Sequence, residues 1–248
     1  MTEAPVVDTT GAPLAQASQS RTIQLALASA LTRDVAQVWP QLDPKNLDST
    51  FQRWLQTMTT LINRYRGMSA LAAGIYYRDT REHALQVPTP VNLIKIAGDA
   101  PAEWLQKGLG YSGPGLLNDP NTAPGTALST TQGTASRMVT DAARSTVIDT
   151  IAADPKAVGW YRVTDGHPCG FCALLASRGV AYKSEQTADF KTHNDCGCTA
   201  AAAFTRDQEL PAISGAADAI YREHVAHLPN GQRLAAFRKA WDELHPAQ

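Results

Sequence analysis

Aromatic side chains are scarce in this chain of 248 residues, at 7% Phe, Trp and Tyr. That speaks against a large aromatic-rich sandwich. With alanine and threonine plentiful, it points to helices packed through small residues. An excess of one charge is missing too: 22 basic residues stand against 23 acidic, for a net charge of −1. Coating nucleic acid by counterion release needs surplus Lys and Arg, usually concentrated in a stripe, and no such run occurs. Local contact with DNA remains open, but the composition argues against a small zinc-dependent nucleic-acid-binding module. No window of about 18 apolar residues exists, so no transmembrane helix is expected. Met1 to Thr22 has no positively charged region followed by an apolar stretch and does not read as a signal peptide. Thiols kept in a bacterial-type cytosol stay reduced, which favours metal binding over disulfides for the cysteines that are present.

What remains is an ordinary globular balance, 44% hydrophobic and 18% charged, enough for one large domain or two modest ones. Residues 1–20 are rich in Ala, Thr, Ser, Pro and Gln without periodicity and are expected to form a flexible arm. From Arg21 to Trp39 the pattern predicts a helix ended by Pro40. The clearest periodicity follows, with Phe51, Trp54, Leu55, Met58, Leu61, Ile62, Tyr65, Met68, Leu71, Ala72, Ile75 and Tyr76 at spacings of three and four. It predicts a single helix of roughly 35 residues, about 50 Å long, with one packing face. Asp48 or Ser49 could cap its start, and Gly67 and Gly74 weaken it.

A short helix is expected near Trp104, and the Gly/Pro/Asn-rich stretch 109–126 reads as a linker. The domain division expected is therefore an arm at 1–20, a helical domain at 21–108, the linker, and an α+β domain at 127–248. A second strong helix spans Ser129 to Ala153, with Met138, Val139, Ala142, Ala143, Val147 and Ile151 on one face. Val158, Trp160, Tyr161 and Val163 are strand-like, and a helical stretch from Ala216 to Leu244 is broken at Pro229-Asn230-Gly231. The fold class is mainly α: long N-terminal helices, a small zinc-stabilised strand and turn module in an α+β C-terminal part, and a C-terminal helix.

All four cysteines fall within thirty residues, as Cys169-x-x-Cys172, twenty residues, then His193-x-x-Cys196-x-Cys198. A C-x-x-C turn lets both thiolates face one ion, and Cys196 and Cys198, two apart in extended backbone, share a face. Zinc takes four N or S ligands in a tetrahedron, and this spacing suits it. Cys169, Cys172, His193, Cys196 and Cys198 are five candidates for four positions: either four thiolates with His193 behind them, or His193 replacing one. His167 is a weaker sixth. A structural zinc would turn its binding free energy into folding free energy for residues 156–205, which are too Gly- and Thr-rich to hold together otherwise.

Rival readings fare worse. Two disulfides would suit a secreted chain. A redox C-x-x-C normally opens a helix in a thioredoxin-like unit, whereas this one follows strands and is coupled to a second Cys pair. A cysteine nucleophile with His193 and Asp195 leaves the other three cysteines unexplained. Ser177 is not in a Gly-x-Ser-x-Gly context, there is no His-Glu-x-x-His, and no Lys-Ser or Lys-Thr follows the glycines of the linker.

The run from Val158 to Gly179, through Trp160, Asp165, Cys169 and Cys172, closely resembles the C-terminal segment of MuF-like phage head morphogenesis proteins. Tyr182-Lys183-Ser184 and His193-Asn194-Asp195-Cys196-Gly197-Cys198-Thr199-Ala200 fit the same pattern. The strongest similarity covers about residues 135–205 and is nearest the actinobacteriophage type. Arg137 and Arg144 stand where the family places an Arg-bearing helix. Gly197 departs from the family's frequent Arg or His between the last two cysteines. The resemblance implies a minor head protein present in a few copies and built in during procapsid assembly in the host cytoplasm. It would lie inside the shell near the portal and affect packaging or ejection of DNA. The implied partners are the portal and the major capsid or scaffold protein, with contact to packaged DNA open and no membrane role. Similar proteins are often labelled capsid maturation proteases, which is the alternative activity.

Overall fold

A computed structural model describes residues 11–123, 125–164, 168–180, 190, 192–193 and 196–245. The protein is mainly helical, with one two-stranded antiparallel sheet. Three long helices build the main layer: α1 (Ala12–Val38), α2 (Leu47–Leu85) and α4 (Thr126–Ala153), with the short α3 (Ala102–Gly110) between the last two. Strands β1 (Gly159–Val163) and β2 (Thr199–Ala203) pair from Gly159 opposite Ala203 to Val163 opposite Thr199. Between them sits α5 (Gly170–Ala176), and α6 (Ala212–His224) and α7 (Asn230–Leu244) follow. Among the described residues, no helix is long and apolar enough to cross a membrane.

The first helix begins earlier than the sequence suggests. Leu14 and Ala17 are buried, and the same face continues through Arg21 and Gln24, so polar residues interrupt the apolar period that would have announced it. Gln24 earns its place by bonding: its Nε2 donates to the Ser69 carbonyl at 3.2 Å, while the Ser69 hydroxyl contacts Gln24 Oε1 at 2.6 Å and the Val139 carbonyl at 3.0 Å. One polar junction thus ties α1, α2 and α4 together. Pro40 stops α1 as expected, with a single 3-10 turn at Trp39–Gln41.

Helix α2 carries the expected face only over its first half. Trp54, Met58, Ile62 and Tyr65 are buried, but Met68, Leu71 and Ile75 are exposed. Beyond Tyr65 the buried positions are Arg66, Ser69, Ala70, Ala73, Gly74, Tyr76, Tyr77, Thr80 and Arg81. Small residues there let α1, α4 and the chain at 94–96 approach closely; a Cβ on Gly74 would lie 2.7 Å from Ile96 Cδ1. The packing face follows backbone proximity, not side-chain size.

The stretch expected to link two domains is packed against α2 and α4. Tyr111–Gly115 forms a π turn, Leu109 and Ser112 are fully buried, and a Cβ on Gly113 would lie 3.0 Å from the Trp54 ring. Helix α4 buries the whole face predicted for it. It ends at Asp154, whose carboxylate receives the Tyr77 hydroxyl at 2.9 Å and Arg81 Nε at 2.8 Å, joining the C-terminal halves of α2 and α4. The sheet lies on α4, where Trp160, Tyr161 and Val163 meet Tyr76, Tyr77, Val147 and Ile151. A separate small core of Ala217, Ile220, Val225, Phe237 and Trp241 joins α6 and α7 to α5 through Ala173.

Candidate metal centre

The C-x-x-C pair is set by α5. Cys169 is its N-cap and Cys172 lies in its first turn, so the pair opens a short helix, contrary to the expectation from sequence; what distinguishes it from a redox pair is the second cysteine pair set against it. Two contacts with α7 fix that turn: Trp241 Nε1 donates to the Pro168 carbonyl at 3.0 Å, and a Cβ on Gly170 would meet the Arg238 backbone at 3.1 Å. Only glycine lets the helices come so close at that point.

Cys196 and Cys198 immediately precede β2, and the sheet register carries them back to α5. Cys172 Sγ lies 3.7 Å from Cys196 Sγ and 3.4 Å from His193 Nε2; Cys169 Sγ lies 3.3 Å from the same nitrogen. The five expected side chains form two overlapping triads, Cys169–Cys172–His193 and Cys172–Cys196–Cys198, each with its ligand atoms within 4.8 Å of one another. Cys172 belongs to both. A tetrahedral zinc with ordinary bond lengths places sulfurs about 3.8 Å apart and sulfur and nitrogen about 3.6 Å apart, so donor types and separations fit such an ion. All four cysteines are free thiols. His167 and Asp195 fall outside the described residues.

Buried arginines shape the loop that presents the second pair. Arg144 on α4 donates Nε to the Cys198 carbonyl at 3.0 Å and Nη2 to the carbonyls of Cys196 and Cys198 at 2.6 and 2.8 Å. Its Nη1 pairs with Asp141 at 2.5 Å. Arg21 on α1 donates Nε to the carbonyl between them, that of Gly197, at 3.0 Å. Two helices distant in sequence therefore hold three consecutive carbonyls. Space at Gly197 is tight on the α1 side: a Cβ there would lie 3.1 Å from Leu25 Cδ2 and 3.3 Å from Arg21 Nη2.

Phe190 covers the cluster. Its ring lies 3.8 Å from the Arg162 guanidinium carbon, 5.2 Å from that of Arg144 and 5.1 Å from the Trp160 ring, while Phe171 meets the His193 ring edge at 6.0 Å. Without metal, hydrogen bonds from Cys172 and then Cys198 hold the Cys196 thiol well below its usual range, against burial and with help from Arg144. The Cys172 thiol is pushed up, first by the bond it shares with Cys196. The cluster thus favours negative charge on one sulfur, that of Cys196, with the Arg144 guanidinium helping to hold it there.

Ser177, the serine considered for hydrolysis, donates its hydroxyl to the Leu174 carbonyl at 2.8 Å, capping α5. Arg144, Arg162, Arg21, Phe190 and Phe171 were not singled out as site residues from the sequence. Their contacts with the cluster span the length of the chain, and only the resemblance that put Arg137 and Arg144 on an Arg-bearing helix gave any sign of them.

No curated protein and no solved structure matches this chain. Among known families, VG15 protein matches residues 12–245, nearly every described element, and the chain belongs to that family of phage-associated virion proteins.

Proposed function

We propose that this chain is a MuF-like minor head protein whose C-terminal module is stapled by one structural zinc. The observation that carries the reading is the convergence of four further N and S donors on Cys172, inside a chain that the VG15 match places among phage virion proteins. The zinc takes four of Cys169, Cys172, His193, Cys196 and Cys198. It joins α5 to β2, two short elements that bury little apolar surface of their own. The protein enters the procapsid in a few copies, on the inner side of the shell near the portal, with portal and capsid or scaffold protein as its neighbours, and supports packaging or ejection of DNA.

Two measurements test this. Elemental mass spectrometry of the reduced, purified protein should find about one zinc per chain, falling to near none in Cys172→Ser. Quantitative proteomics of purified procapsids and virions should find a few copies per particle, and a phage lacking the chain should make defective heads. A metal-free wild-type protein ends the zinc reading, and absence from both particles ends the head-protein reading.

A further inference from the structure

Beside the metal centre, α1, α4 and the Cys196–Gly197 loop enclose an open cleft of about 220 Å³ that the proposed function does not use. Its walls are Leu25 and Ala28 on one side and Ser29, Thr32, Ser136 and Thr140 around the rest. Arg137 is the one charged residue among the described residues lining it, and its Nε is sealed from solvent without a hydrogen-bond partner. The acids nearest along the helices are committed elsewhere, Asp141 to Arg144 and Asp34 to the Tyr65 hydroxyl. Arg33 Nη1 donates to Ser29 Oγ at 3.1 Å, which leaves the serine proton to donate into the cleft.

Among the described residues no acid pairs with this half-buried guanidinium, an unfavourable arrangement unless something completes it. We propose that the cleft receives the carboxylate of an acidic side chain, glutamate by its reach, projecting from a partner protein. The guanidinium fork matches a carboxylate, Ser29 adds a donor, and Leu25 and Ala28 accommodate the methylenes leading to it. A nucleic-acid strand suits the site less well: a phosphate track needs a row of cations, and among the described lining residues only Arg137 is a cation. Cys196 and Gly197 line the cleft too, so the candidate metal loop borders it.

The test is NMR on the full-length, metal-loaded protein labelled at Arg Nε and backbone nitrogen, titrated with sodium butyrate as a stand-in for the glutamate side chain. Saturable shifts at Arg137 Nε–H and the Gly197 amide are expected in the millimolar range, with neither butyramide nor sodium chloride reproducing them. Arg137→Gln should keep its zinc and its melting temperature yet weaken the Gly197 response about ten-fold, the loss of one charged hydrogen bond; Arg137→Lys should fall between. No saturable shift, an equal response to butyramide, or tighter competition by a short oligodeoxynucleotide overturns the assignment. The zinc reading is judged separately, by metal content in the same samples.

Discussion

Arg144 and Cys172 make different contributions to one centre, and substituting each separates positioning from ligation. Arg144→Gln removes three donor contacts to the carbonyls of Cys196 and Cys198 and leaves buried acceptors unmatched. That loss is expected to cost about 3 kcal/mol and to lower the melting temperature by about 6–12 °C in a chain of this size. The cysteines remain, so zinc should still bind, more weakly; competition with a chromophoric chelator reads the affinity. Full retention of both stability and affinity would show that the loop does not depend on Arg144. Among the cysteines, Cys172 is buried and common to both triads, whereas Cys169 is exposed and belongs to one. With five donors for four positions, Cys169→Ser should weaken zinc binding without abolishing it, because Cys196, Cys198 and His193 remain with Cys172. Equal loss in both variants would place Cys169 among the obligatory ligands. The five donors were readable from spacing because metal ligands come in short local pairs. The arginines and Phe190 were not, because Arg21 and Gly197 are 176 positions apart and nothing local marks them as neighbours.

At the scale of elements, the sequence shows which segments are helical better than it shows which face they bury. Periodicity located α2 and α4, yet in α2 the large residues Met68, Leu71 and Ile75 face outwards while Ser69, Ala73 and Gly74 face in. Leu71→Gln should therefore change stability by no more than about 0.5 kcal/mol. Ala73→Leu, forced between closely packed helices, should destabilise by about 1–3 kcal/mol. Urea titration of both variants checks the ordering, and a larger loss at Leu71 would mean that its face is covered in the folded protein. Strand β2 escaped notice for a related reason. Thr199-Ala200-Ala201-Ala202-Ala203 has poor strand propensity, and it is a strand because it pairs with β1 and its small side chains let α4 lie against it. The Asp154 clamp at the end of α2 and α4 gives a pH signature. Burial would raise its carboxyl, but the Lys156 amide, the Tyr77 hydroxyl and Arg81 together hold it below the ordinary 3.8. A depressed folded value means the stabilisation is complete above the unfolded value and is lost as pH falls through the folded one. Asp154→Asn should cost about 3 kcal/mol at neutral pH, and the gap to wild type should shrink below about pH 4. A gap that stays constant down to pH 3 would show that the ion pair contributes nothing.

For the whole molecule, the question is how far loss of the metal would spread. The core of Trp54, Met58, Ile62, Leu105, Leu109 and Met138 is built from helices alone and touches no candidate ligand. The cysteine cluster with Phe171 and Phe190 is separate, and α6 and α7 reach it through Ala173 and through the bond from Trp241 to Pro168. Removing zinc from the reduced protein should therefore open the molecule at one end only. Hydrogen exchange in the presence of a chelator is expected to accelerate at least about a hundred-fold at the α5 and β2 amides, a loss of about 2.7 kcal/mol of local protection. Amides of α2 around Met58 and of α4 around Met138 should exchange as before. Acceleration everywhere would mean that the long helices depend on the module, and acceleration nowhere would mean that the thiols hold no structural ion. The expected middle result fits the proposed function, with a helical body that persists while the module held by the proposed zinc opens on its own.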